Sequence, residues 1–297
     1  MLKIISSTIS PTTQTHLNNQ QADIDGQVSY KEQVKRAATL WNGKEGSISK
    51  RAAFLEIKAK LTDNAIGKHY CGYCEHNEHS DIEHIYPKGL YPNKAFVWEN
   101  YMWACKKCNS GLKLDKFKIF NSLGSSNIQD ITPPHNPRTY IQPLNEDSVF
   151  INPRVDDPLD FLFLDLKSGV LVTHPSLTVT RDIERANYTL ELLEIDAREG
   201  LLEARTVARK RFISSLKRYI IAKNANSFAE LEECMEELQP VEFLNSLEFE
   251  KTKTCLSIQK DITTRNHPTV WKEMQRQVLS FSKLNQLFLQ APEALEW

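Results

Sequence analysis

The sequence predicts an α+β protein that is mostly helical, with a small cysteine-held unit in its first half. Apolar residues recur at helical spacing over most of the second half of the chain. Residues 161–173 read as a β-hairpin whose turn is Lys167-Ser168-Gly169. Two Cys-x-x-Cys pairs flank residues 75–104, so we expect this stretch to fold as a structure of its own. Together these observations predict small sheets embedded in a helical protein.

The chain divides into five predicted regions. Residues 1–27 are polar and show no clear period, so we expect a flexible arm there. The other regions are a helical lead-in (28–66), the cysteine-held unit (67–120), a linker rich in Ser, Asn and Pro (121–147), and a hairpin with a helical C-terminal region (148–297). Predicted helices cover 30–41, 50–61 (capped by Ser47 or Ser49), 181–194, 196–223, a segment from Ser227 to before Pro240, and 268–290, and residues 150–155 could form a strand.

Composition is typical of a soluble globular protein. The 297 residues are 40% hydrophobic and 25% charged, with a net charge of -1. No apolar run has the length of a membrane span, and the first residues lack the apolar core of a secretory signal. We therefore expect a cytoplasmic protein with reduced cysteines, in which Cys234 and Cys255 are ordinary, partly buried residues.

Charge is segregated after the linker. Most charged residues in 198–223 are basic, whereas every charged residue in 227–250 is acidic. One interpretation is two solvated helix faces that pair with each other. The other is a basic helix that faces nucleic acid and an acidic helix that faces a protein partner.

The two cysteine pairs, Cys71/Cys74 and Cys105/Cys108, have the chemistry of a structural zinc site. Zinc prefers four thiolate or imidazole ligands in a tetrahedron, and two such pairs supply four thiolates. The alternatives are two unrelated pairs or a redox pair, which would sit at a helix start in a βαβ unit. A closed four-cysteine site has no open position for substrate, so this zinc would hold the fold and would not catalyse.

The candidates for chemistry lie between and after these pairs. If "DIEHIYPKG" contains a short strand, Glu83 and His84 point to opposite faces. Asn100 lies in "WENYMW", and Asn109 directly follows the last cysteine. A helix over the second cysteine pair would place Asn109 and Lys113 on the face that carries those cysteines. A structural zinc would then also fix the position of these polar side chains.

This segment resembles the HNH nucleases, which have a ββα-metal fold. The family pattern is Cys-x-x-Cys, an acidic residue plus His, a middle Asn, and a second Cys-x-x-Cys followed by His or Asn and a Lys. The resemblance implies catalytic roles for His84 as general base and for Asn100 as the residue that holds the loop around it. It also implies Glu83 and Asn109 as ligands of one catalytic Mg²⁺ or Mn²⁺ ion, with Lys113 in contact with nucleic-acid phosphate. The chain departs from the pattern in having Asn109 at the final His position and Glu83 where Asp is common.

The chemistry of these side chains agrees with the resemblance. A neutral imidazole with a pKa near about 6.5 can take a proton from water at neutral pH. Carboxylate and amide oxygens suit Mg²⁺ or Mn²⁺ better than zinc. The competing interpretations are a structural histidine for His84, a helix-surface amide for Asn109 and a solvated lysine for Lys113. His76 and His79 are expected at the surface or lining a groove.

The wider layout is similar to the PtuB-type HNH effectors of bacterial Septu and retron defence systems. That resemblance implies a PtuA-like ATPase partner and, in retron versions, a reverse transcriptase with its DNA–RNA hybrid. The expected activity is hydrolysis of nucleic-acid phosphodiester bonds. DNA is the default substrate because attack by an external water needs no 2′-hydroxyl, and an RNA such as tRNA is the alternative. The competing functions are a non-catalytic zinc-binding adaptor and a stand-alone restriction or homing endonuclease, although no sequence-reading module is evident for the latter.

Overall fold

The computed structural model describes residues 1–5, 7–64, 70–76, 80–133, 140–234 and 245–297. Within these ranges the helices are α1 (Pro11–Asp25), α2 (Tyr30–Asn42), α3 (Ile48–Asn64), a π-helix (Lys107–Lys113), α4 (Thr180–Leu193), α5 (Glu199–Asn224), α6 (Phe228–Glu232), α7 (Leu247–Thr264), α8 (Pro268–Arg276) and α9 (Ser282–Gln290). The strands are β1 (Ser80–His84), β2 (Tyr101–Cys105), β3 (Lys118–Phe120), β4 (Ile128–Asp130), β5 (Leu162–Leu164) and β6 (Leu171–Thr173). The chain forms two compact units. The first comprises Met1–Phe163 with Leu171–Arg198, and the second comprises Leu164–Val170 with Glu199–Trp297.

The described strands pair into two-stranded sheets. β1 and β2 are antiparallel, with Glu83 opposite Met102 and His84 opposite Tyr101. β3 and β4 are also antiparallel. β5 pairs with β6 in the predicted hairpin, and its turn contains Gly169 at a φ of 77°, which glycine adopts without steric cost. The protein is therefore mostly helical with small antiparallel sheets, as the sequence predicts.

The flexible arm expected over residues 1–27 is not observed, because most of this segment is the helix α1. The Ser10 side chain caps α1, and its amide and hydroxyl donate to the Glu56 carboxylate at 2.6 and 2.7 Å. Leu17 and Ile24 are fully buried. Polar residues occupy most other positions of α1, so its apolar period is weak in the sequence.

Two segments before the hairpin also differ from their predictions. Within the expected linker, Ile128–Asp130 forms the strand β4, and residues 134–139 lie outside the described ranges. Residues 150–155 contain a turn where a strand was expected. The amides of Val155 and Asp156 both donate to the carbonyl of Asn152, at 3.0 and 2.8 Å, and this turn interrupts the extended backbone.

The helices of the lead-in and the C-terminal region largely follow the predictions. α2, α3, α4 and α5 lie within a few residues of their predicted bounds, and Ser47 Oγ accepts from the amide of Lys50 at 3.3 Å. The helix expected from Ser227 begins as α6, and its continuation towards Pro240 lies outside the described residues. The helix expected over 268–290 is two helices, α8 and α9, separated by a 3-10 turn.

α7 was not predicted from the sequence. Its buried positions recur at every fourth residue, but two of them, Glu250 and Thr254, are polar. The apolar period that would indicate the helix is therefore carried by Ile258 and Ile262 alone.

The core of the first unit fixes the position of β1 and β2. α1, α2 and α3 contribute apolar side chains that cluster with residues of both strands and of the connection between them. The cluster contains Leu17, Ile24, Ala37, Leu40, Phe54, Ile57, Leu61, Ile82, Ala95, Phe96, Trp98 and Tyr101. α1, α2 and α3 therefore support the strand pair that carries the candidate site. None of the helices in the described ranges combines the length and the apolar character that a bilayer crossing requires.

A cysteine cluster and an adjoining polar pocket

The four predicted cysteines converge in the first unit. Cys71 and Cys74 lie in the turn before β1, Cys105 ends β2, and Cys108 lies in the π-helix. All four side chains are buried, and their sulfurs lie within 4.8 Å of one another. A tetrahedral zinc with Zn–S bonds of ~2.3 Å needs sulfurs about 3.8 Å apart, and the Cys74 and Cys105 sulfurs are 3.8 Å apart. The cluster could therefore bind a metal ion such as zinc.

A positively charged side chain lies beside the cluster. Burial raises the pKa of the Cys71 thiol well above its ordinary value, so a thiolate there needs a positive charge close by. Arg198 supplies one, since its Nη2 lies 3.5 Å from the Cys108 sulfur. From the sequence, Arg198 was predicted only as part of a basic helix, because the residue is distant from the cysteines along the chain.

His84 is held in one orientation by the backbone. Its Nε2 lies 2.9 Å from the carbonyl oxygen of Ala95. A carbonyl only accepts hydrogen bonds, so Nε2 carries the hydrogen and, in the neutral ring, Nδ1 carries the lone pair. Burial, and next the positive charge of Lys88, hold the pKa of His84 well below its ordinary value. The imidazole is therefore neutral near pH 7 and can accept a proton at Nδ1.

Asn100 stabilises the loop that contains Ala95, whose carbonyl accepts the hydrogen bond from His84. Its Oδ1 accepts from the amide of Tyr86 at 2.7 Å, and its Nδ2 donates to the carbonyls of Tyr86 and Lys94, each at 2.9 Å. Lys94 directly precedes Ala95 in the chain. Asn100 is 3% exposed, so it acts inside the loop and has little surface to offer a substrate.

Lys113 is not at the surface where a phosphate contact was expected. Its side chain is fully buried, and its Nζ lies 2.7 Å from Glu83 Oε1 and 2.9 Å from the carbonyl oxygen of His84. The segment that carries it is a π-helix, not the expected α-helix, so the predicted three- and four-residue alignment does not hold. The lysine therefore neutralises a buried carboxylate and is not in contact with solvent.

Glu83 is a buried carboxylate that already has one cation beside it. Its Oε1 lies 2.7 Å from the Lys113 ammonium, so this oxygen is held in an ion pair. Burial raises the pKa of Glu83, while the charge of Lys113 opposes that rise. Asn109 Nδ2 donates to the carbonyl of Ile82 at 3.3 Å, which leaves the Asn109 amide oxygen available as a ligand.

Three of the predicted residues line one pocket of about 480 Å³. Glu83, His84 and Asn109 lie in its wall, whereas Asn100 and Lys113 are buried and do not line it. The full lining is Trp41, Ser80, Asp81, Ile82, Glu83, His84, Pro87, Lys88, Lys106, Asn109, Ser110, Leu114 and Asp115. Carboxylate, amide and imidazole groups therefore meet in a space that could admit a phosphate group.

The pocket also contains residues that the sequence analysis did not single out. The Trp41 ring from α2 lies 4.2 Å from the His84 ring, centroid to centroid. The Nζ atoms of Lys44 and Lys88 lie 4.9 and 5.9 Å from the centroid of Trp41. Lys88 and Lys106 line the pocket, and Lys106 is exposed. Nothing in the spacing of the chain links α2 to the cysteine-held unit, so only the tertiary packing brings these groups together.

Of the two remaining candidate histidines, His76 lies in the described part of the chain. His76 is half-buried in the turn that follows the first cysteine pair and does not line the pocket. His79 lies outside the described residues.

Comparison with known proteins finds similarity to two Septu proteins of Bacillus species. No family model matches the chain. The Septu protein PtuB of Bacillus thuringiensis is 36% identical over 58 residues, which is 18% of this chain and 22% of that protein. The Septu protein PtuB of Bacillus mycoides is 24% identical over 181 aligned residues, covering 50% of this chain and 58% of that protein. The matches therefore span less than two thirds of either relative.

Proposed function

We propose that the chain is a metal-dependent nuclease of the HNH type that serves as the effector of a Septu-type defence system. The distant similarity to PtuB supports the role in Septu defence. One observation carries the nuclease assignment. The pocket combines a neutral His84 whose Nδ1 is free to accept a proton with two oxygen ligands, on Glu83 and Asn109.

In the proposed reaction, His84 Nδ1 takes a proton from the water that attacks the phosphorus. The Ala95 carbonyl holds the opposite ring nitrogen, so the base keeps its tautomer and direction. The Glu83 carboxylate and Asn109 Oδ1 would hold Mg²⁺ or Mn²⁺, which when bound would polarise the phosphate and stabilise the leaving oxygen. Asn100 positions the loop that bears Ala95 and is not itself at the reacting atoms.

Lys113 should also lower the affinity of the proposed site for a metal ion. A buried ammonium 2.7 Å from Glu83 partly satisfies that carboxylate, so affinity for a second cation is reduced in the empty site. A substrate phosphate adds negative charge to the pocket and restores that affinity. We therefore expect metal and nucleic acid to bind cooperatively.

Three lysines at or beside the pocket suit the nucleic-acid backbone. The Nζ atoms of Lys44 and Lys88 lie over the ring of Trp41, and Lys106 is an exposed lining residue. We propose that these lysines, in place of Lys113, contact phosphates that flank the cleaved bond. DNA remains the favoured substrate and RNA the alternative.

The proposed partners follow from the similarity to PtuB. A PtuA-like ATPase would control or deliver the nuclease. A retron reverse transcriptase with its DNA–RNA hybrid is the further candidate.

The deciding experiment incubates the full chain with end-labelled DNA and RNA in the presence of Mg²⁺ or EDTA. Cleavage should require the metal and fall by about 10²–10⁴-fold in His84→Ala, while zinc content and circular dichroism stay unchanged. His174→Ala, which removes a histidine that does not line the pocket, is the matched control and should cleave as the unmodified chain does. Undiminished cleavage by His84→Ala would refute the assignment. Binding without cleavage in every variant would identify an adaptor.

A further inference from the structure

The second unit contains a half-open cleft of about 520 Å³ between one face of α5 and the segment that runs from α8 through α9. Its volume falls within the roughly 300–1,000 Å³ of ligand-binding pockets. The floor is apolar and is formed by Ile213, Met274, Phe281, Leu284 and Leu287. A concave apolar surface of this size can accept several apolar side chains from a ligand.

The rim of the cleft is positively charged. Arg209, Lys210, Lys217 and Lys283 line it, and no Asp or Glu is among its described lining residues. Lys210, Lys217 and Lys283 are exposed, and no ion pair within the described ranges involves any of them. Arg209 donates to the carbonyl of Leu166. Three exposed lysines therefore surround an apolar floor, and the described lining of the cleft contains no carboxylate.

We propose that this cleft binds an acidic, amphipathic segment of a partner protein. Apolar side chains on one helix face would fill the floor, and carboxylates on the flanks would meet the lysines of the rim. Charge complementarity selects this occupant. A nucleic-acid backbone would satisfy the lysines but leave the apolar floor unfilled, and a membrane surface is too flat to enter a concave cleft. The inference goes beyond the proposed nuclease activity and does not depend on it.

The test measures fluorescence anisotropy of a labelled helical peptide of about 16 residues, with Leu on one face and Glu on the others, against the full chain. One control peptide has Lys in place of Glu, and another is a scrambled sequence that lacks the apolar face. The acidic amphipathic peptide should bind at least tenfold more tightly than either control. Equal binding of the lysine peptide would overturn the proposal.

Variants of the chain locate the binding site. Lys217→Glu reverses an exposed rim charge, and Ile213→Asp places a charge in the floor. Each should weaken peptide binding by about tenfold or more. Lys260→Glu, an exposed position on α7, is the matched control and should leave binding unchanged. Circular dichroism checks that each variant is folded.

Three results would contradict the proposal. The first is peptide binding that neither cleft variant weakens. The second is binding of dodecanoate without binding of peptide, which would identify a small anionic amphiphile as the occupant. The third is a dimer that dissociates in Ile213→Asp, which would identify a second copy of this chain.

Discussion

The ammonium of Lys113 lies 2.7 Å from Glu83 Oε1, and both side chains are buried in the first unit. The same ammonium donates to the carbonyl of His84 at 2.9 Å. One cation thus ties a proposed metal ligand to the backbone of the proposed base. The arrangement makes Lys113 a positioning residue, whose loss should disturb stability as well as the site.

Lys113→Met should destabilise the protein by about 3–5 kcal/mol, because it leaves the Glu83 carboxylate buried without its cation. Urea unfolding at neutral pH gives the measurement. The matched control, Lys116→Met, removes an exposed lysine and should change stability by less than about 0.5 kcal/mol. The double variant Glu83→Gln with Lys113→Met should recover most of the loss. A Lys113→Met variant as stable as the control would show that the ion pair contributes little.

The ionisation of Glu56 should make the stability of the protein depend on pH. Its pKa is lowered, first by the hydrogen bond from the Thr13 hydroxyl, although burial opposes the shift. A carboxyl with a depressed pKa in the folded state contributes stability above its unfolded pKa of about 4.3, and the contribution is lost as pH falls through the folded pKa. Glu56→Gln should therefore lower stability at pH 7 by about 1–2 kcal/mol.

Urea unfolding at a series of pH values tests this prediction. The difference in stability between the unmodified chain and Glu56→Gln should be constant from pH 7 to pH 5 and shrink at lower pH. Glu203→Gln, at an exposed position on α5, should show no such difference. A difference that grows on acidification would contradict the assigned sign.

Local patterns revealed much of the architecture, whereas the polar contacts of the site depended on long-range packing. Helical periodicity and the Ser47 cap predict α2 and α3, and paired spacing predicts the cysteine cluster. α1 was missed because its buried face includes Thr13 and Gln21 as well as two apolar residues. Its order depends on Glu56, which lies on another helix. A hydrogen bond between residues on different helices does not produce a periodic pattern in the sequence.

Within the site, the same distinction explains what the sequence could not provide. Glu83, His84 and Asn109 were identified by their order around the cysteines, and the structure brings them to one pocket. The burial of Lys113 was not predicted, because its partner Glu83 lies on the strand β1 and nothing in the local sequence links the two residues. Arg198 could not be found either, since 90 residues separate it from the cysteine whose sulfur it contacts.

Arg198→Ala should weaken zinc binding. Four thiolates around a zinc ion carry excess negative charge, and the guanidinium 3.5 Å from the Cys108 sulfur offsets part of it. Loss of such an outer contact should lower zinc affinity by roughly 10–100-fold. Competition with a colorimetric chelator measures the affinity, and Arg211→Ala, at an exposed position on α5, is the control. Equal affinity in the two variants would exclude a role for Arg198 at the cluster.

Lys44 and Lys88 should strengthen nucleic-acid binding without changing the chemistry. Both cations stand over Trp41 beside His84, where a phosphate next to the cleaved bond would lie. In a His84→Ala background, which prevents cleavage, replacing either lysine by Ala should weaken DNA binding similarly for all sequences. The slope of log K against log salt should fall by about one unit per lysine, because each phosphate contact releases bound counterions. Lys60→Ala, on α3 and outside the pocket lining, should leave the slope unchanged. An unchanged slope in the Lys44 and Lys88 variants would place the nucleic-acid backbone elsewhere on the protein.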